Sequence, residues 1–218
     1  MLKTLGLLGN VHAEDSLLEA AVDYFSSRGV DRICCTGDIP DGPGSVDRCV
    51  QILHSACVTT VAGNHERWLL AGRLRDLPHA TLRVDLARET VAYLRSLPIT
   101  VALETVRGRA LLCHGLGSND MSGVKPDDFG YSLKTNDELQ DLLDYPRKFR
   151  MVLNGHTHQR MVRAIDRLTI VNAGTLSSEC QSGFGVVDFE CGSVEFLEFD
   201  SSGTIVPGET LSMAGVAG

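Results

Sequence analysis

No stretch of this 218-residue chain is long and apolar enough to span a membrane, and the apolar run at residues 5–8 is broken by Gly6. Neither an anchor nor a signal peptide is therefore expected. Basic excess is missing too: the formal net charge is −8. That excludes a protein that holds nucleic acid mainly through phosphate contacts, although a metal charge could still draw a nucleotide or a phosphate ester. No Cys-x-x-Cys spacing occurs among Cys34, Cys35, Cys49, Cys57, Cys113, Cys180 and Cys191, an odd set placed mostly in apolar runs. These read as buried, reduced thiols, which implies a reducing compartment and a cytoplasmic location. Internal repeats and low-complexity blocks are also lacking. What remains is an ordinary globular composition, 43% hydrophobic and 22% charged, with enough length for one substantial core. The expectation is one domain over residues 1–200 and a loosely held tail over 201–218, where small, polar and glycine residues dominate.

Apolar runs at residues 2–9, 31–36 and 57–62 read as buried strands, and helical spacing fills 14–28 and 45–54 between them. That alternation is the βαβ rhythm of a largely parallel sheet. Helices are expected over 66–76 and 84–97, bounded by Pro78 and Pro98, and a hairpin over 99–113 turns at Gly108. Residues 117–132 form a polar, Gly-containing loop, a candidate substrate loop. A short helix follows at 135–144, with Thr135 or Asn136 as its cap. Further strands are expected at 151–154, 168–172, 184–189 and 193–199.

The strand ends carry the chemistry. Gly37-Asp38 closes the second strand, where open α/β sheets place their ligands, and its carboxylate could bridge two cations. The other ends deliver Asn10 and His12, Asn64 and His65, His114, and His156 and His158. Residues two apart in an extended segment face one side, so His12 can join residue 10 and His156 can join His158. Imidazole, carboxylate and amide oxygen together suit Mn, Fe, Zn or similar divalent ions. His54 and His79 belong to no such motif and read as structural. Arg67 and Arg160 flank motifs and read as solvated surface.

In order, Asn10-Val11-His12, Gly37-Asp38, Gly63-Asn64-His65-Glu66, His114-Gly115 and Gly155-His156-Thr157-His158 resemble the calcineurin-like metallophosphoesterase superfamily. The resemblance implies an α/β fold, a four-layer αββα sandwich, with a binuclear centre at its rim. The first ion would take His12, Asp38, His158 and position 10, and the second Asp38, Asn64, His114 and His156. His65 would face the scissile ester oxygen, and Asp41 would orient it. The cofactors implied are two divalent ions, Mn2+ first, with Fe, Zn, Ni or Mg as substitutes. Their bridging hydroxide would attack the phosphorus of a small phosphate mono- or diester or a nucleotide while His65 assists the leaving group. Two departures stand out. Gly42 follows Asp41 where the phosphoprotein phosphatases have arginine, and the paired histidines of Gly155-His156-Thr157-His158 look more like the compact bacterial phosphodiesterases. Asn10 stands where the family has aspartate, which leaves one carboxylate against two dications. A weaker first ion is expected, whether residue 10 is natural or was altered. The rival reading is a phosphoesterase fold kept as a protein-interaction scaffold.

Overall fold

In a computed structural model that describes residues 1–73, 75–144 and 148–213, the chain runs through two sheets with helices outside them. In chain order the first half contains β1 (Thr4–Leu8), α1 (Asp15–Arg28), β2 (Arg32–Cys35), α2 (Val46–Ser55), β3 (Thr59–Thr60) and α3 (Asn64–Leu70). Then come α4 (Arg88–Ser96), β4 (Thr100–Thr105), β5 (Gly108–Cys113), α5 (Tyr131–Lys134), α6 (Asp137–Asp144) and β6 (Met151–Asn154). The last part is all strand: β7 (Met161–Ile165), β8 (Leu168–Asn172), β9 (Gly183–Asp188), β10 (Ser193–Phe199) and β11 (Ile205–Ser212).

One sheet has the order β11-β10-β9-β1-β2-β3 and the other β4-β5-β6-β8-β7. β1, β2 and β3 pair in parallel, as do β5, β6 and β8. Both parallel sets are buried on two faces, which is why their sequences are apolar runs and do not alternate. Leu5, Leu7, Cys34, Leu112, Leu153 and Val171 form the core between the sheets. α1 and α2 close the outer face of the first sheet through Leu18, Phe25, Val50 and Leu53. Leu139 of α6 closes the second against Val152 and Ile170. Helix, sheet, sheet, helix is the expected four-layer order.

Several boundaries differ from the sequence reading. α3 stops at Leu70, and Gly72 beyond it takes a left-handed φ of 69°, so a helix to residue 76 does not form. The expected helix over 84–97 starts at Arg88, after a 3-10 turn at Arg83–Asp85. Asn136 is the cap of α6: its side-chain oxygen accepts the Leu139 N–H at 3.0 Å. β7 was not expected, because its Arg163 interrupts the apolar pattern. The loose tail is corrected over 205–212, where β11 pairs antiparallel with β10 as an edge strand and Met213 is buried behind it. Pro207 and Gly208 hid that strand, and both sit where the register shifts, the place where an edge tolerates them. Residues 214–218 lie outside the described residues. Of the cysteines, Cys34, Cys35, Cys49 and Cys113 are buried, whereas Cys57, Cys180 and Cys191 are exposed.

Phe25 is fully buried, with its ring centroid 5.0 Å from that of Phe184. Phe25→Ala should lower the unfolding free energy by about 3–5 kcal/mol. A urea titration should show this as a lower midpoint with unchanged slope. A smaller loss than about 1 kcal/mol would mean that the site collapses around the missing ring.

Candidate metal centre

Every motif sits just beyond the carboxyl end of a parallel strand or in the turn after it. Asn10 and His12 follow β1, Asp38 follows β2, Asn64 and His65 open α3 after β3, His114 follows β5, and His156 and His158 follow β6. β1, β2 and β3 belong to one sheet and β5 and β6 to the other, so the site straddles the seam between sheets. The turns are strained: His12, Asp38, Asp41, His156 and His158 have φ of 47°, 50°, 67°, 63° and 59°. Left-handed backbone costs a residue with a Cβ about 1–2 kcal/mol, and such strain gathers where side chains must be aimed.

Glu66 holds the turns in register. It is fully buried, and its carboxylate accepts the N–H groups of Asp38 at 3.0 Å, Ile39 at 2.6 Å and Gly63 at 2.7 Å. The third bond caps α3, and Gly63 is needed there for space: a Cβ would lie 2.2 Å from the Asp38 carboxylate. Asp38 Oδ1 in turn accepts the His65 N–H at 2.9 Å.

The donor atoms converge. His114 Nε2 lies 3.2 Å from Asp38 Oδ2 and 3.0 Å from Asn64 Oδ1. His156 Nδ1 is 3.0 Å from the same Asn64 oxygen, and His12 Nε2 is 3.1 Å from His158 Nε2. An ion with bonds of about 2.1 Å holds adjacent ligands about 3 Å apart, so Asp38, Asn64, His114 and His156 fit one shell. His12, Asp38 and His65 also present ligand atoms within 4.8 Å of one another. Backbone carbonyls choose the tautomers. His114 Nδ1 donates to Thr36 O at 2.7 Å and His12 Nδ1 to Asp41 O at 3.1 Å, which turns each Nε2 inward.

Electrostatics follow from one buried carboxylate among imidazoles. Burial works against the Asp38 charge, but His114, His65 and His12 outweigh it and hold the carboxyl well below the usual range. Burial lowers the His114 pKa, yet Asp38, the Thr36 carbonyl and Glu66 push it up to about 9. His158 goes the other way, to about 4, through burial and the neighbouring His12. His65 donates Nδ1–H to Asp41 Oδ2 at 2.6 Å and turns Nε2 to 3.9 Å from Asp38. Burial lowers its pKa, and the Asp41 and Asp38 carboxylates more than restore it.

Arg75, Thr81 and two asparagines were missed by sequence reasoning. Arg75 Nη2 donates to Asp41 Oδ1 at 2.9 Å, and the Thr81 N–H reaches the same oxygen at 2.7 Å. The arginine absent after Asp41 is thus replaced by one from 34 positions on, which no local motif could signal. Asn154 and Asn172 Nδ2 hold the Gly115 and Gly155 carbonyls at 2.9 and 2.6 Å, anchoring both histidine loops; their signal was a buried polar residue ending each strand. His79 is corrected. It lines a cleft of about 290 Å3 beside His12, His65 and His158, whose wall also includes residues 41–43, Leu77, Pro78 and residues 177–179. The 117–132 loop packs instead on the His156 side, where Gly123 meets Thr157. His54 faces Tyr93 on α4, away from the centre. Arg67 is an exposed partner of Asp120, whereas Arg160 is largely buried against Glu198 and not solvated.

Residues 4–192 match the model of the calcineurin-like phosphoesterase superfamily domain. An uncharacterized protein of Methanocaldococcus jannaschii is 21% identical over 79% of this chain and 69% of its own. Among solved structures, a hypothetical protein from Pyrococcus horikoshii OT3 superposes with a TM-score of 0.71 at 19% identity, covering 91% of this chain and 89% of that one. A metallophosphoesterase from Sphaerobacter thermophilus gives 0.65 at 19% identity over 92% and 89%. A phosphoesterase from E. coli gives 0.58 at 14% identity over 97% and 100%. At these identities the structures establish a shared fold.

Glu66→Ala strands three buried N–H donors and should cost about 3 kcal/mol or more of stability. Calorimetry should record this together with weaker metal binding; loss of neither would remove Glu66 from its structural role.

In metal-depleted protein, the raised His114 pKa gives stability that is complete below about 6.5 and is lost as pH rises towards about 9. The lowered His158 pKa gives stability that is present above about 6.5 and is lost as pH falls towards about 4. The melting temperature should therefore peak near neutrality and fall on both sides; a flat profile up to pH 9 would contradict the His114 assignment.

Proposed function

This chain belongs to the calcineurin-like phosphoesterase superfamily, and we propose that it hydrolyses small phosphate mono- or diesters, nucleotides among them, with divalent ions at this centre. The observation that carries the reading is the meeting of Asp38, Asn64, His114 and His156 donor atoms at ligand-shell spacing. The same four side chains would hold one ion, and His12 and His158 with Asp38 would hold a second. Mn2+, Fe, Zn or a similar divalent ion suits this mixed nitrogen and oxygen set. When bound, such ions polarise a phosphoryl oxygen and activate water at neutral pH.

The chain's own groups do the rest. Asp41 fixes the His65 ring through Nδ1, and Arg75 and Thr81 fix Asp41. His65 Nε2 is thereby left facing the cleft wall shared by His12 and His158, where a leaving oxygen would need a proton. The raised His65 pKa suits a proton donor near neutral pH. The 290 Å3 cleft has room for a small ester arm beside the centre. Four buried cysteines, with Cys34, Cys35 and Cys113 pushed up to about 12 by burial, support a reducing, cytoplasmic setting. No helix among the described residues is long and apolar enough to cross a membrane.

His65→Ala and Asp38→Asn separate the roles. Asp38→Asn should abolish turnover and most metal binding, since it removes the carboxylate shared by both positions. His65→Ala should keep its metal and lose about 10²–10⁴-fold on esters with poor leaving groups, with a smaller loss on nitrophenyl esters. Equal losses on both would replace the acid role by simple positioning. A native protein that binds Mn2+ but turns over no phosphate ester would move the scaffold reading ahead.

A further inference from the structure

Asn10 is fixed on every side. Its N–H donates to Gly174 O at 3.3 Å, and its carbonyl accepts the Leu176 N–H at 2.8 Å and the Thr175 hydroxyl at 3.1 Å. The side chain is wholly buried, and its Oδ1 accepts the peptide N–H of His156 at 2.9 Å. Nδ2 is buried with no partner among the described residues. So is the hydroxyl of Thr36, which crowds the same space as Asn10 Oδ1 over Gly155.

This bond decides which way the amide lies. Turned over, it would set two donors, NH2 and the peptide N–H of His156, against each other. A carboxylate at this position would accept the same N–H with one oxygen and keep a second, anionic oxygen for a cation. Asparagine keeps an NH2 instead, whose nitrogen carries two protons and has its lone pair delocalised into the amide. It can donate a hydrogen bond, and it cannot coordinate. Buried donors are rarely left unpaired, so the unpartnered NH2 points to an oxygen atom as its ligand.

Resting on the metal-dependent reading above, we infer that Asn10 gives the centre a hydrogen-bond donor, turned to an oxygen of water or of the phosphate ester, where a carboxylate would give an anionic metal ligand. The centre is therefore built unequal. Asp38, Asn64, His114 and His156 form a complete shell for a resident ion. His12 and His158 share Asp38 with it and receive no anionic oxygen from position 10, so their ion is weak and exchangeable. Occupancy of that second position, set by the ambient metal concentration, then decides how much of the protein is fully loaded.

The test is a Mn2+ titration of metal-stripped full-length protein, with bound metal counted by equilibrium dialysis and spin coupling between ions followed by electron paramagnetic resonance. The native protein should bind one equivalent, then a second at a concentration higher by about 100-fold or more, a separation of about 2.7 kcal/mol. Asn10→Asp should bring the second step down by at least about tenfold and show coupled ions at two equivalents. Asn10→Ala should still take up a second Mn2+, because no anionic ligand is lost, although the freed His156 N–H loosens the resident ion's shell. Two ions bound in one step by the native protein, or loss of the second equivalent in a folded Asn10→Ala, would overturn the inference. Should Asn10→Ala not fold, the nearly isosteric Asn10→Asp still decides: an unchanged second step overturns it. These outcomes do not depend on turnover. A stepwise titration with no hydrolysis would sink the proposed function alone, and one-step binding with hydrolysis would sink this inference alone.

Discussion

One buried carboxylate sets the geometry of the whole site. Glu66 enters from the first turn of α3 and collects N–H groups from the turn after β2 and from the helix start. Burial and the neighbouring Asp38 charge push its pKa up, yet three N–H donors compensate the ionised form. Through that single group the backbone of Asp38, the left-handed turn it occupies and the aim of Asn64 and His65 become one rigid unit. The second sheet joins it through His114 on Asp38 and the Thr36 carbonyl, through His156 on Asn64, and through the His156 peptide N–H on Asn10.

The two proposed ion positions also differ in their supporting partners. The Asn64 side has a carboxylate, an amide oxygen and two imidazoles whose loops are anchored by Asn154 and Asn172. The His12 side relies on two imidazoles that burial keeps neutral, with His158 held near 4. Neutral imidazoles are ready ligands, but they bring no charge to offset a dication. Asp38 serves both sides, so whichever ion it holds more closely leaves less charge for the other.

Fold and site were legible to different depths. Strand ends could be read because a parallel strand buried on two faces is an apolar run that stops abruptly, and each stop was followed by Asn, His or Asp. Hence the two sheets, their helices and all the clustered histidines could be placed from sequence. Arg75 and Thr81 could not, since their meaning lies in contacts with Asp41 across 34 and 40 positions of irregular chain. His79 lies in the same irregular stretch, beside Pro78, and only the path of that loop brings it to the cleft. β11 was hidden by a glycine and a proline at an irregular point of pairing. The orientation of the Asn10 amide depends on a peptide group 146 residues away.

The left-handed turns at His12, Asp38, Asp41, His156 and His158 have a consequence for anyone seeking a hardier version of this protein. At such φ values glycine is the residue that relaxes the chain, and replacing strained side chains with it is an ordinary route to thermostability. Under the proposed function that route is closed at these positions, because the side chain that strains the backbone is the one the chemistry would need. Hardening would have to come from places where conformation and chemistry do not compete, such as the edge strand β11 or the exposed turn at Cys57, whose φ of 52° serves no ligand. The site itself resists improvement by the means that improve the rest.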